Sequence, residues 1–353
     1  MPAGWHAQLA RCYAAIMSMS LPSTTAHSDS PIIETRGLTK RYGRRGEIAA
    51  LTDLDLSVAP GAIFGFLGPN GAGKTTAIRI LLGFIRATSG QARILGHDTW
   101  RDGVQARRDL GFLVPPDAFY PDMSGAAQLD YLTRLSDRPP VLREHIRDAL
   151  ELGQDALERR IGSYSKGMRQ KLALIAAFQH DPALLILDEP TDGLDPLIQR
   201  SFEDLLRELQ RRGRTVFMSS HDLAEVERTC ERVAVVREGR LIAESTVADL
   251  KLRAHRVAQV TFAGDVPAAI ATLPGVAQVT RDGHQVRLVV EGDVNPLLAL
   301  LAVHPVAELS IAPPRLEDVF MAFYDIEEPV SGQNGHEASF DPATSIPQET
   351  TRR

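Results

Sequence analysis

Apolar and polar positions along this chain follow two rhythms. Between residues 32 and 251, short apolar runs rich in β-branched residues are each followed by a stretch of helical period. Residues 62–67, 183–187, 215–218 and 233–236 read as buried strands, and residues 76–82, 197–210 and 223–229 as helices. Strands alternating with helices predict a parallel sheet covered on both faces. Residues 125–158 are helical in pattern with no strand, which predicts an inserted helical lobe over about residues 115–165. From residue 254 to 325 the rhythm changes to strand (257–262), helix (267–273), two strands within 276–290, helix (296–301), strand (306–311) and a last helix (316–324). Asp282-Gly283 joins the paired strands as a hairpin signal. The order β-α-β-β-α-β is that of a small ferredoxin-like unit, expected to serve packing or dimerisation. Residues 1–31 read as a disordered leader or an over-extended start, with Met17 or Met19 as alternative initiators, and residues 326–353 as a flexible acidic tail.

Composition narrows this picture. A chain of 353 residues, 44% hydrophobic and 24% charged, suits about two globular domains. The net charge is −6, and no basic block interleaved with aromatics is present, so no nucleic-acid partner is expected. Cys12 and Cys230 cannot form a disulfide framework, which favours a reducing cytosolic compartment. No apolar run approaches the ~18–20 residues that span a bilayer, so work at a membrane would require a borrowed anchor.

Chemistry concentrates at the ends of the apolar runs. Gly68-Pro69-Asn70-Gly71-Ala72-Gly73-Lys74-Thr75-Thr76 lies between the strand at 62–67 and the helix at 76–82. A glycine loop in that context lets backbone N–H groups and a helix N-terminus converge on phosphates. Lys74 is expected to reach the β- and γ-phosphates and the Thr75 hydroxyl to ligate Mg²⁺. The strand at 183–187 ends in Asp188 and Glu189, placing two carboxylates at the edge where α/β sheets bind ligands. Asp188 is expected to hold Mg²⁺, and Glu189 to polarise the attacking water. His221 ends the run that begins at residue 215, and is expected to face the γ-phosphate. Tyr164-Ser165-Lys166-Gly167-Met168 precedes a helical pattern at 172–179 and offers a second anion-binding surface. The first phosphate already has its cradle, so this surface suits the nucleotide of a second chain docked head to tail.

In this order, the phosphate loop, the Tyr164-Ser165-Lys166-Gly167-Met168 signature, Asp188-Glu189, Thr191-Asp192-Gly193-Leu194-Asp195 and His221 resemble the ATPase subunit of an ATP-binding cassette (ABC) transporter. The resemblance covers about residues 32–251. It implies that Tyr42 stacks on adenine, that Ser165 and Gly167 contact the opposite ATP, that Asp195 sits at a dimer interface and that Glu189 is the catalytic base. It also implies ATP and Mg²⁺ as cofactors, a second cassette (an identical chain by expectation), and a separate transmembrane permease. The site would then lie in the cytoplasm against the inner face of the membrane. The signature and the C-terminal Leu316-Glu317-Asp318-Val319-Phe320 resemble exporter-type subunits, some of which confer drug or antibiotic resistance. One departure stands out: Pro115 occupies the position where the family carries a Gln or Glu that ligates Mg²⁺. Proline has no side-chain oxygen, so water or Asp117 would complete the shell. Two other readings compete, a cassette acting on ribosomes or DNA and a nucleotide-dependent switch; the acidic charge opposes the first and the Glu189–His221 pair the second.

Overall fold

The protein was analysed as a computed structural model, which describes residues 30–43, 46–253, 256–290, 293–312 and 316. The expectations for the leader, the tail and the body of the last helix lie outside these residues. Strands β1 (Ile33–Tyr42), β2 (Ile48–Val58), β3 (Ile63–Leu67), β4 (Ser89–Ile94) and β5 (His97–Asp98) come first, with helix α1 (Lys74–Leu81) between β3 and β4. They are followed by α2 (Gly103–Arg107), β6 (Leu110–Phe112), α3 (Gly125–Ser136), α4 (Arg143–Ala149), α5 (Gln154–Glu158) and α6 (Lys166–Phe178). Next come β7 (Leu184–Asp188), α7 (Pro196–Arg211), β8 (Thr215–Ser220), α8 (Leu223–Thr229), β9 (Arg232–Arg237), β10 (Arg240–Thr246) and α9 (Val247–Arg253).

The expected parallel sheet is there, with six strands in the order β10-β9-β3-β8-β7-β6. Strands β9, β3, β8, β7 and β6 run parallel, and β10 closes the edge as an antiparallel hairpin. Every residue of β3 and β8 is buried, because helices cover both faces and leave no polar side. Phe64 stacks on Phe217 at 5.9 Å between ring centroids, which locks the two central strands together. Helices α3, α4 and α5 form the inserted lobe, with no strand among them.

A second sheet differs from the simple strand–helix alternation predicted for residues 32–251. Strands β2-β1-β4-β5 form an antiparallel sheet ahead of and beside the parallel one. Its strand β2 alternates Leu54, Leu56 and Val58 inward with Asp53, Asp55 and Ser57 outward, the pattern of a sheet with one face on the core.

The C-terminal part forms a third sheet from β11 (Arg256–Phe262), β12 (Val276–Asp282), β13 (Gln285–Val290) and β14 (Val306–Ala312), with α10 (Asn295–Ala302) before β14. The spatial order β12-β13-β11-β14, all antiparallel, is the ferredoxin-like arrangement the pattern predicts. Its core is separate, built from Ala258, Val260, Phe262, Val286, Leu288 and Val290 under Ile270, Leu297 and Leu301. The first expected helix shrinks to a 3₁₀ turn, Ala268–Thr272. No side chain caps its start, and Pro274 bars a helical conformation at Leu273. Leu316 then crosses back: it is buried in the core of the parallel sheet, and its N–H donates to Glu227 Oε2 on α8 at 3.1 Å.

Candidate active site

The phosphate loop is built by close approach of backbone to backbone. Gly73 stands at the head of α1 with φ of 106°, and a Cβ there would lie 2.5 Å from the carbonyl oxygen of Ala50 on β2. Only glycine meets both conditions. The loop is cross-tied by Ala72 N–H to Pro69 O at 3.1 Å and by Gly239 N–H to Ala72 O at 3.0 Å. The Lys74 side chain is buried and folds back over the loop, its ammonium donating to Gly68 O at 2.5 Å.

Strands β3, β7 and β8 are neighbours in the sheet, so their C-terminal ends bring three predicted groups together. Lys74 Nζ lies 3.6 Å from Glu189 Oε1, and Glu189 Oε2 lies 2.7 Å from His221 Nδ1. A single carboxylate therefore links the loop lysine to the histidine. Glu189 holds φ of 49°, a left-handed conformation uncommon for a residue with a side chain. Its N–H is pinned by Ser219 Oγ at 3.1 Å and by Ser219 O at 3.2 Å, which stabilises this turn at the strand end. Ser219 Oγ in turn donates to Asp188 Oδ1 at 2.5 Å, so one hydroxyl orients both carboxylate residues.

His221 sits on an equally fixed turn. Ser220 Oγ accepts from Asp222 N–H at 3.0 Å and donates to Glu225 Oε2 at 2.6 Å. Asp222 caps α8 through Ala224 N–H and Glu225 N–H at 2.9 and 3.1 Å. Burial pushes the Glu225 carboxyl above its ordinary range, against the opposing pull of the Ser220 hydrogen bond. Ser219, Ser220 and Glu225 were not anticipated. Two consecutive serines closing an apolar strand are the signal that could have marked them, since buried hydroxyls need partners.

A cavity of about 620 Å³ opens beside these groups, between α1, the loop after β6 and the first turns of α6. Thr75, Asp188 and Glu189 line its inner end, and Pro115 and Asp117 face it from the loop after β6. Pro115 is extended (φ −51°, ψ 130°), and Pro116 begins a 3₁₀ turn, Pro116–Ala118. The outer wall is apolar, with Leu82, Phe84, Phe112 and Val114. Gln170, also not anticipated, is buried and ties α6 to the turn after β7 through Pro190 O at 2.6 Å. Among the described residues no cluster of three His, Cys, Asp or Glu side chains could hold a metal. Thr75 and Asp188 at its inner end, one hydroxyl and one carboxylate, are the kind of donors that Mg²⁺ takes from protein when phosphates and water supply the rest.

Tyr42, Ser165, Gly167 and Asp195 do not line this cavity, although Lys166 and Asp192 do. Tyr42 ends β1, is 36% exposed, and has the Lys40 ammonium 5.0 Å from its ring centroid. Ser165 caps α6 by accepting from Met168 N–H at 3.2 Å. The helix begins at Lys166, six residues earlier than its apolar pattern indicates, so Gly167 lies in its first turn. Lys166 Nζ meets Asp192 Oδ1 at 2.7 Å, holding the signature against the Asp192-Gly193 turn of the same chain. Asp195 caps α7, accepting from Leu197 and Ile198 N–H, both at 3.1 Å.

Comparison with known proteins matches residues 51–192 to the ABC transporter family. A fluoroquinolones export ATP-binding protein of Mycobacterium tuberculosis is 36% identical over 244 residues, covering 68% of this chain and 80% of that protein. The chain belongs to the ABC transporter ATP-binding subunits. It is an ATPase of that family and binds nucleotide. A Bacillus subtilis ABC transporter ATP-binding protein is 33% identical over 297 residues, 82% of this chain and 95% of its own length, so that similarity extends into the C-terminal sheet. A bacitracin transport ATP-binding protein of Bacillus licheniformis is 38% identical over 231 residues, 64% of this chain and 72% of its own. Among solved structures, the ATP-binding subunit of an ABC transporter superposes with a TM-score of 0.57 at 26% identity, over 62% of this chain and 92% of that one. A dimeric cassette in a post-hydrolysis state with ADP and Pi has the same fold (TM-score 0.56, 24% identity, over 61% of this chain and 98% of that one).

Proposed function

We propose that this cassette hydrolyses ATP to drive export through a separate transmembrane permease, with a drug-like or antibiotic-like cargo as in the named relatives. The contact chain Lys74–Glu189–His221 carries the hydrolytic assignment. Phosphates entering the loop meet the N–H groups at the head of α1 and draw Lys74 toward the β- and γ-oxygens. Glu189 accepts a proton from the attacking water, and His221, hydrogen-bonded to that carboxylate, orients it and faces the developing charge. Thr75 and Asp188 would hold Mg²⁺, which offsets phosphate charge when bound. Pro115 adds no ligand, so water completes the shell and Asp117 remains at the cavity wall.

Tyr42 is assigned to stack on adenine, and Ser165 and Gly167 to the nucleotide of a second copy, with Asp195 at the dimer seam. Ser165 and the head of α6 offer an anion-binding surface that the phosphate loop of the same chain does not use, which supports a shared, two-chain site. Among the described residues no helix is long and apolar enough to cross a membrane. The apolar outer wall of the 620 Å³ cavity offers the permease a docking groove that ends at the carboxylates. Closure of two cassettes on ATP would move this groove, and the permease with it. The chain would then work in the cytoplasm at the inner membrane face.

Glu189→Gln tests the core of this reading. Loss of a general base lowers turnover by ~10²–10⁴-fold, while ATP binding persists and gel filtration shows a trapped dimer. A variant with near-normal turnover removes Glu189 from the mechanism. An adjacent gene encoding several apolar spans of ~20 residues, whose product co-purifies with this chain, supports the permease; ribosome co-sedimentation instead overturns it.

A further inference from the structure

A second cavity, of about 460 Å³, lies on the flank of the antiparallel sheet. Its walls are the turn at residues 86–91 and the segment 98–101, with Ile80 and Ile85 below. Ile85 also lines the apolar groove, so the two cavities are neighbours across one side chain. Their walls differ in kind. The groove is mostly apolar, whereas this one presents Arg86, Thr88, Ser89, Gln91 and Arg101.

Positive charge is in excess here. Residues 79–108 contain six arginines and two aspartates, within a chain of net charge −6. Neither Arg86 nor Arg101 has an ion-pair partner among the described residues, and both are exposed. Asp98 is the one acid in the wall, and its Oδ1 already accepts from Trp100 N–H at 2.9 Å and Arg101 N–H at 2.8 Å. The same hydrogen bonds hold Trp100 at the rim, where it is 51% exposed. The opposite wall is rigid. Thr88 N–H donates to Thr39 O at 2.8 Å, Arg41 N–H to Thr88 Oγ1 at 2.9 Å, and Lys40 Nζ to Arg86 O at 2.7 Å. Two free guanidinium groups over a fixed polar wall suit a phosphate oxyanion, which arginine binds through paired N–H donors. An exposed tryptophan beside arginines is the composition of a membrane interface.

We propose that this cavity binds a phosphate-bearing anion, with the headgroup of an anionic phospholipid as its occupant in the assembled transporter. Placement beside the bilayer rests on the docking of the permease in the adjacent groove; anion binding does not. Arg86 and Arg101 would clamp the phosphate while Trp100 enters the interfacial layer, adding a lipid contact to the cassette's hold on its permease.

The full chain carrying Trp5→Phe leaves Trp100 as its one tryptophan and thus as a local probe. Its emission is followed, with co-sedimentation, against phosphatidylcholine vesicles with and without phosphatidylglycerol, and against inorganic phosphate and glycerol phosphate. Binding to phosphatidylglycerol vesicles with a blue-shifted Trp100 is expected. The pair Arg86→Gln and Arg101→Gln should weaken it about thirtyfold, since each arginine near an anionic surface contributes ~1 kcal/mol, with unchanged ATP turnover. Arginine-dependent binding of the soluble phosphates alone keeps the anion site and removes the lipid as its occupant. No response to any of these anions, or a response equal in the double variant, overturns the proposal. ATP turnover and permease co-purification are read separately, so failure here leaves the transport reading standing.

Discussion

The two ends of the parallel sheet are both rich in charge, and they use it in opposite ways. At the N-terminal ends of β6, β7 and β8, Arg138 pairs with Asp109, and Arg214 holds Asp181 through two bonds of 2.9 and 2.5 Å. His180 is buried beside them. Each acid there has a fixed arginine. At the C-terminal ends two bases share one acid: Lys74 stands 3.6 Å from Glu189, and His221 reaches the same carboxylate at 2.7 Å with a side chain 63% exposed. The carboxylates are fixed through serine hydroxyls and backbone, and a phosphate would compete with Glu189 for Lys74. Identical strands thus end in a clamp on one side and an exchangeable set on the other. Charge density alone does not mark an active site; what distinguishes it is whether partners can be exchanged.

Substitutions at the two ends should differ in whether activity falls with stability. The largest effect is expected from Gly73→Ala, which places a Cβ against Ala50 O at a left-handed φ. ATP binding should fall by more than ~100-fold, as a few kcal/mol of strain and clash predict, and the melting temperature should fall with it, because the clash is present without nucleotide. Fluorescent-nucleotide titration beside thermal melting reads both; normal nucleotide affinity would show that the loop does not need its tight geometry.

The N-terminal end should respond to acid. Burial, with Arg138 nearby, lowers the His180 pKa from 6.5 to about 4. The unfolded chain therefore binds the proton more readily, and stability should fall as pH drops from about 6.5 towards 4 and change no further below that. The full effect is roughly 3 kcal/mol. His180→Phe should flatten this limb in urea melts at pH 7 and pH 5, and an unchanged slope would assign it to other groups. Smaller again is Arg214→Leu, expected to cost about 1–3 kcal/mol of stability while ATP turnover per folded molecule stays constant. A large drop in turnover would mean that the two ends are coupled.

Much of this was legible in the chain because the decisive signals are local. A glycine loop between an apolar run and a helix, or two acids closing a buried strand, needs only neighbouring residues to be recognised. The antiparallel sheet was not legible in that way. Strand β1 pairs with β4 across some fifty residues, its ladders carry register shifts, and its exposed Arg36 and Arg41 and half-buried Lys40 dilute the alternation. The start of α6 was displaced for a different reason. Gly167 lowers helix propensity, so the apolar pattern begins only after the Ser165 cap has already started the helix. Ser219 and Ser220 show their importance only when Asp188 and Glu225 are brought within hydrogen-bonding reach by folding.

Leu316 has a practical consequence for dissecting this protein. It belongs by position to the C-terminal part, yet its side chain completes the hydrophobic core under the catalytic sheet, and its backbone braces Glu227 on the helix that follows His221. Cutting the chain after Arg253 would therefore not yield a smaller but equivalent enzyme. It would leave an unfilled hole of leucine size, a defect that typically costs ~2–5 kcal/mol, next to the segment bearing the histidine. A sound deletion would replace the C-terminal sheet with a short linker and keep Leu316, so that the sheet's own contribution is not confused with a leaking core.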